Sequence, residues 1–389
     1  MNEPADPSPR PLGENADPAG PADPSPRATV AALRVDAPAS NIEYFEHQAM
    51  ACTWGLFIGD PSPVYARQAA RAAFTEIDRL EQELSRFVPH SDIALINAQA
   101  GGDWVPVGMD ALECLMMAEE VWRQTGGAFD PTIGALLRAG EHRPPPGAQS
   151  NDDVPAKTLP FPTASDQMPM LHDAAAETRA FDDSSPGTPM IPGAAAESAA
   201  FSEPPVGFDQ LAIDLSHRRV RVPAGMMLDL GAIGKGFAVD RAIALLREWS
   251  ITAALLHSGQ STAYALGAPP GQAHWPVAIR DPLNHAAILA RLGLREIALS
   301  GSGTLLHGPH IIDPRTRRPA SGPLGAWVAS PSAAFSDAAS TAMMVLSDAE
   351  ALRFCAGRAI TAWRATLHGA AARLKRWGNL APGVRELPA

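Results

Sequence analysis

The sequence predicts an α+β fold interrupted by segments that do not belong to it. Three observations carry this expectation. Apolar residues between Ala66 and Leu84 recur at spacings of three and four, the period of a helix with one buried face. After residue 207 the chain turns to short β-rich runs divided by turn residues, a spacing that favours antiparallel hairpins over a doubly wound sheet. Two polar, Pro-rich stretches separate these regions from the rest. With 389 residues, 46% of them hydrophobic, the chain can bury one large core or two modest ones.

The first Pro-rich stretch, residues 1–42, repeats PADPSPR at Pro4 and again at Pro21. Its composition cannot bury enough surface to offset ordering, so a disordered tail is expected. Residues 43–140 follow as the first structured half, with a strand around Thr53 to Ile58, the helix ending near Leu84, and a second helix. That second helix places Leu112, Leu115, Met116 and Trp122 on one stripe and stops before Thr125, Gly126 and Gly127. Residues 141–206 form a low-complexity insertion with its own imperfect duplication, MPMLHDAAAETRAFDD from Met168 against TPMIPGAAAESAAFSE from Thr188. Residues 207–352 make the second half, with strands expected in LAID, VRV, MMLDL, ITAALL, WPVAI, AILARLGL and GAWVA, and helices near Phe237 to Trp249 and Asp337 to Leu346. The C-terminal segment, 353–389, is rich in Ala and Arg and shows no clear final strand.

A net charge of −11 without any Lys/Arg run argues against a nucleic-acid surface. Cys52, Cys114 and Cys355 match no zinc spacing and leave one cysteine over in any disulfide scheme, which suits a reducing compartment. The N-terminal residues have neither a basic start nor an apolar stretch, and no run approaches the roughly 18 apolar residues of a membrane span. A cytoplasmic protein with no membrane span is the expectation.

Four stretches could carry chemistry. In LDLGAIGKGFAVDRA, from Leu228, a strand feeds a glycine turn into a helix, which presents backbone N–H groups and a positive helix end beside Lys235. It is not a Walker loop: Gly231 and Gly234 are too close, and Gly236 stands where the magnesium-binding hydroxyl would be. A tight structural turn is the alternative. In SDAASTAMMVL, from Ser336, Asp337 and Thr341 are four apart, so their oxygens share one helix face, as a hard cation requires. An N-cap formed by Ser336 or Asp337 is the plainer reading. In HIIDPRT, His310 starts a short strand and is suited to proton transfer, or is structural. The last is the pair SRF, from Ser85, and TGGAFDP, from Thr125, in which Asp130 can make an Asp–Pro turn and Phe87 and Phe129 can be core.

Read in order, MACTW from Met50, LSRF, SDIALIN from Ser91, TGGAFDP, LDLGAIGKGFAVD, HIIDP and SDAAST resemble the motif series of the FAD:protein FMN transferases, the ApbE family. The resemblance implies an α+β fold with FAD in a cleft and Mg2+ beside its pyrophosphate. It implies FAD contacts at Met50, Phe87, Ala128, Phe129, Asp130, Asp229, Lys235 and Ile311, and metal ligands in Asp337, Thr341 and the Ala232 carbonyl. His310 corresponds to the family's proposed proton acceptor. The implied reaction is transfer of FMN from FAD onto a Ser or Thr hydroxyl of an acceptor protein, with release of AMP. Two stretches depart from the family pattern. His257, Ser258, Gly259, Gln260 and Ser261 replace an Asn-x-Gly-Gly-Asp turn, and Ser300, Gly301, Ser302 and Gly303 replace Ser-Gly-Asp-Tyr. They leave open a degenerate FAD-binding protein, or an Mg2+-dependent hydrolase that releases FMN and AMP.

Overall fold

Alternation of side chains across a sheet buried on both faces organises the molecule. The computed structural model describes residues 42–60, 62–141, 203–284, 286–304 and 311–388. Of the tail expected over residues 1–42 and the insertion expected over 141–206, residues 1–41 and 142–202 lie outside the described residues, as does His310. The chain opens with β1 (Ile42–Ala49) and β2 (Cys52–Gly59), a hairpin turning at Met50 and Ala51, whose φ values are 49° and 57°. Positive φ at both turn residues matches the twist of the two strands. Then come α1 (Pro63–Leu84), α2 (Asp92–Ala98), β3 (Val105–Pro106), α3 (Met109–Gln124) and α4 (Gly134–Glu141). Ser62 and Ser91 cap α1 and α2, each hydroxyl accepting a first-turn N–H.

The second half runs through β4 (Ala212–Asp214), β5 (Arg219–Arg221), α5 (Gly234–Glu248), β6 (Ala254–Ser258), β7 (Thr262–Leu266), β8 (Trp275–Arg280), β9 (Ile288–Leu294) and β10 (Ile297–Gly303). It closes with β11 (Ile312–Asp313), β12 (Arg318–Pro319), β13 (Pro323–Ser330), α6 (Ala333–Met343), α7 (Asp348–Cys355), β14 (Thr361–His368), β15 (Ala371–Trp377) and β16 (Val384–Glu386). Eight strands form one antiparallel sheet in the order β1-β2-β6-β7-β10-β13-β14-β15.

On this sheet Leu256, Tyr264, Ala298 and Val328 face the helical layer, where α1, α5 and α6 pack side by side. Their neighbours Leu255, Ala265, Leu299 and Ala329 face the other way, into a second core shared with Trp275, Leu292 and Leu294 of the small sheet β16-β9-β8. Burial on both faces is why Ala254, Leu255 and Leu256 of β6 read as a continuous apolar run instead of an alternating one. Among the described residues no helix is long and apolar enough to cross a membrane, and the three cysteines are free.

Two sequence expectations are corrected. MMLDL, residues 226–230, is not a strand of any sheet; Met227 makes only an isolated bridge to Ile133. Its backbone is taken up by loops and a side chain: Gly134 N–H donates to Met227 O at 2.9 Å, Asp229 N–H donates to Pro131 O at 2.7 Å, and the Asn97 amide holds both backbone groups of Leu228. The C-terminal segment does contain the strands it was expected to lack. There β14 and β15 complete the main sheet, and Arg364, buried in β14, donates to Leu346 O at 2.9 Å and lies over the Trp377 ring.

Candidate active site

The crossing of α5 and α6 builds the site. At Gly236, in the first turn of α5, an added Cβ would lie 2.3 Å from the Ala333 carbonyl oxygen, so only glycine permits this approach. The N-terminus of α6 is fixed to α5 by Asp240, whose carboxylate accepts from Ser332 Oγ at 2.7 Å, Ala333 N–H at 2.7 Å and Ala334 N–H at 2.9 Å. Burial pushes the Asp240 carboxyl up, and these three bonds pull the other way. Ser332 is the N-cap of α6, which overturns the N-cap alternative for Ser336 and Asp337. Asp337 instead sits in mid-helix facing the first turn of α5.

Asp337 is 3% exposed; its Oδ2 accepts from Gly236 N–H at 3.0 Å and its Oδ1 from Ser261 Oγ at 3.3 Å. Thr341, one helical turn on, contacts Ser302 Oγ through its hydroxyl at 3.0 Å. Ala232, in the turn before α5, is partly buried against the core, and Lys235 Nζ folds back to donate to Gly231 O at 3.0 Å. The amides of this turn are less free than a phosphate nest requires, because Asp229 Oδ1 takes Gly231 N–H at 2.7 Å and Asp337 takes that of Gly236. Charge neutralisation of an anionic ligand here would fall to Lys235 and to a bound cation.

The donor set fits Mg2+. Asp337 is a buried carboxylate with two neutral donors and, among the described residues, no Lys, Arg or His ion pair, so a cation would offset its desolvation. No group of three or more His, Cys, Asp or Glu side chains able to hold a metal occurs among the described residues. A site here must be completed by neutral oxygens, as the Thr341 hydroxyl and the Ala232 carbonyl would do, and these are ligands of a hard ion.

The first-half motifs converge on the same turn. Arg86 Nε pairs with Asp229 Oδ2 at 2.6 Å, and its guanidinium lies 4.1 Å from the centre of the Phe87 ring. Phe87 itself is 74% exposed, which rules out the core reading of that residue. Asp130 makes the turn expected of it: Oδ1 accepts from Thr132 N–H at 2.8 Å and Thr132 Oγ1 at 2.6 Å, and Oδ2 from Phe208 N–H at 3.2 Å. Burial pushes its carboxyl up while those donors hold it down.

The side chains of Ala128, Phe129 and Ile311 are buried, and Met50 lies at the tip of the β1–β2 hairpin. That hairpin touches the β6–β7 turn through Gly259 N–H to Thr53 O at 2.8 Å, beside Cys52. Burial pushes the Cys52 thiol up, and the nearby Lys235 opposes this. Asp240, Asn97 and Ser302 were not anticipated as site residues. Asn97 stood inside the quoted SDIALIN motif, but nothing in the sequence names Leu228 as its partner. A cavity of 870 Å³ lined by Arg315, Asp348, Glu350 and Arg364 lies at the other end of α6, where those charges pair with one another.

An antiparallel α+β scaffold here sets one buried carboxylate against a glycine turn that carries a lysine. The family to which the chain belongs is ApbE, whose model matches residues 50–363. The chain is 29% identical over 308 residues to a Rhodobacter capsulatus protein named FAD:protein FMN transferase, covering 76% of this chain and 50% of that one. It thus spans about half the length of that curated relative. A Treponema pallidum protein of the same name is 27% identical over 298 residues, covering 72% of this chain and 71% of its own. In fold the chain is similar to the flavin transferase ApbE of Vibrio cholerae, with TM-score 0.64 and 17% identity over 86% of this chain and 97% of that one. The ApbE protein of Thermotoga maritima gives TM-score 0.65 and 22% identity, with the same shares covered.

Proposed function

We propose that this protein transfers the FMN half of FAD to a Ser or Thr hydroxyl of an acceptor protein. The observation that carries the reading is the bond from Gly236 N–H to Asp337, which brings a buried carboxylate to the glycine turn that carries Lys235, with Thr341 one helical turn further along α6, in a chain of the ApbE family. The names of the Rhodobacter and Treponema relatives support it. In the reaction the acceptor oxygen bonds to the FMN-side phosphorus, the bond from that phosphorus to the oxygen of AMP breaks, and AMP leaves with the electron pair. The hydroxyl proton passes to His310, which lies outside the described residues. Bound Mg2+ would supply charge neutralisation at the pyrophosphate.

The chain's own contribution is placement. Asp240 and Gly236 hold α6 against α5, so Asp337 stays against the first turn of α5, with Thr341 one helical turn further along α6. Lys235 can exchange its bond to Gly231 O for a phosphate oxygen at little cost, since both partners are near solvent. The exposed Phe87 ring, backed by Arg86, offers a flat apolar face suited to an aromatic ring system.

The test is incubation with FAD, Mg2+ and a peptide bearing a Ser/Thr-Gly-Ala-Thr sequence, followed by mass measurement. Peptide heavier by one FMN group supports the transferase. Free FMN with AMP would favour the hydrolase, and unchanged FAD bound to the protein a degenerate flavin binder.

A further inference from the structure

Three hydroxyls between β10 and α6 form a chain whose direction follows from the protons they have to donate. Ser340 Oγ lies 2.8 Å from the Asp337 carbonyl oxygen, Ser302 Oγ lies 2.8 Å from Ser340 Oγ, and Thr341 Oγ1 lies 3.0 Å from Ser302 Oγ. A hydroxyl has one proton to donate, and a carbonyl can only accept. Ser340 therefore spends its proton on Asp337 O, so the Ser302–Ser340 contact must be donated by Ser302. Ser302 then has no proton left, and the contact with Thr341 must be donated by Thr341. The Thr341 oxygen is left able only to accept, which is the state a metal-ligating hydroxyl needs.

We propose that Ser302 is a positioning residue that accepts the hydrogen bond of the Thr341 hydroxyl and so leaves the Thr341 oxygen free to act only as an electron-pair donor to a divalent cation. This rests on the cation reading of Asp337 and Thr341. Ser302 belongs to β10, whose register is fixed by pairing with Ala326 of β13, so the acceptor is built on a rigid strand and not on a loop. Nothing else in the contact requires a serine: threonine would keep the oxygen, and alanine would remove it.

The experiment is Mn2+ titration of the full chain with FAD present, reading free Mn2+ by electron paramagnetic resonance, with a thermal melt of each variant. Ser302→Ala should weaken Mn2+ binding on the order of tenfold, the usual cost of removing an outer partner of a ligand, while Ser302→Thr stays near the parent. In a Thr341→Val background, Ser302→Ala should cost nothing further. If Asp337→Asn abolishes Mn2+ binding and Ser302→Ala leaves it unchanged, the cation reading stands and the role of Ser302 is overturned. A full second tenfold loss in the Thr341→Val background also overturns it, because Ser302 would then act independently of Thr341. If Asp337→Asn leaves binding unchanged, the cation reading itself fails and takes the proposal with it.

Discussion

Replacing Gly236 by alanine is the sharpest test of how the site is held together. The new Cβ would sit 2.3 Å from Ala333 O, 2.7 Å from Ala333 C and 2.8 Å from Ala334 Cα, all backbone atoms of α6. No side chain can swing aside, so the helices must part by about 1 Å or more to reach ordinary contact distance. Overpacking of this kind costs about 1–3 kcal/mol, and loosening the buried bond from Gly236 N–H to Asp337 adds about 1–2 kcal/mol. Alanine's better helix propensity returns up to about 1 kcal/mol. The net is a loss of about 3 kcal/mol, or roughly 6–12 °C in Tm for a domain of this size.

Gly234→Ala, two residues earlier in the same helix, is the control. Its Cβ would meet only Leu230 Cβ, at 3.8 Å, so it should be neutral or slightly stabilising. Calorimetric melts of the two variants beside the parent decide the matter. A Gly236→Ala protein melting within 2 °C of Gly234→Ala would refute the close-crossing account, by the scale of about 2–4 °C per kcal/mol.

Asp337→Asn should leave the fold in place while lowering Mg2+-dependent turnover on the order of a thousandfold, read by parallel melts and initial rates; a near-normal rate in a stable variant would refute the cation role. Asn97→Ala removes both bonds to the buried Leu228 backbone and should cost about 2–3 kcal/mol, measured as a lower urea midpoint at unchanged slope. His257, buried beside Gly55 and Phe57, is held below its ordinary pKa by desolvation, so the fold favours its neutral form. The stability this contributes is full above about pH 6.5 and is lost as pH falls through the depressed folded value. Between pH 8 and pH 5 the parent should therefore lose more Tm than His257→Asn; equal losses would refute it.

What the sequence discloses depends on whether a residue's partner is near in the chain. The period of α1 and the stop of α3 at Gly126 and Gly127 are local, and both were legible. The spacing of Asp337 and Thr341 also announced a shared helix face. The strand β14 was hidden because Arg364 fills a core position, its guanidinium bonded to Leu346 O and covering Trp377, so TAWRATLH does not read as half-buried. The opposite error at MMLDL has the same origin: an extended apolar segment is a strand only if another strand lies beside it, and here Asn97 and two loops take that place. Asp240 and Ser302 act across 92 and 39 residues respectively, and no pattern in one dimension shows such pairs.

The bond from Gly207 N–H to Thr132 Oγ1, 2.9 Å long, has a bearing on how this protein can be handled. Together with Phe208 N–H on Asp130, it pins the chain's return from the insertion to the loop just ahead of α4, from which the insertion departs. These two bonds are made by residues on either side of 142–202 and by none within it. A fluorescent protein or an affinity module could be grafted there as a passenger, giving a tagged molecule whose two halves still meet through Asp130 and Thr132.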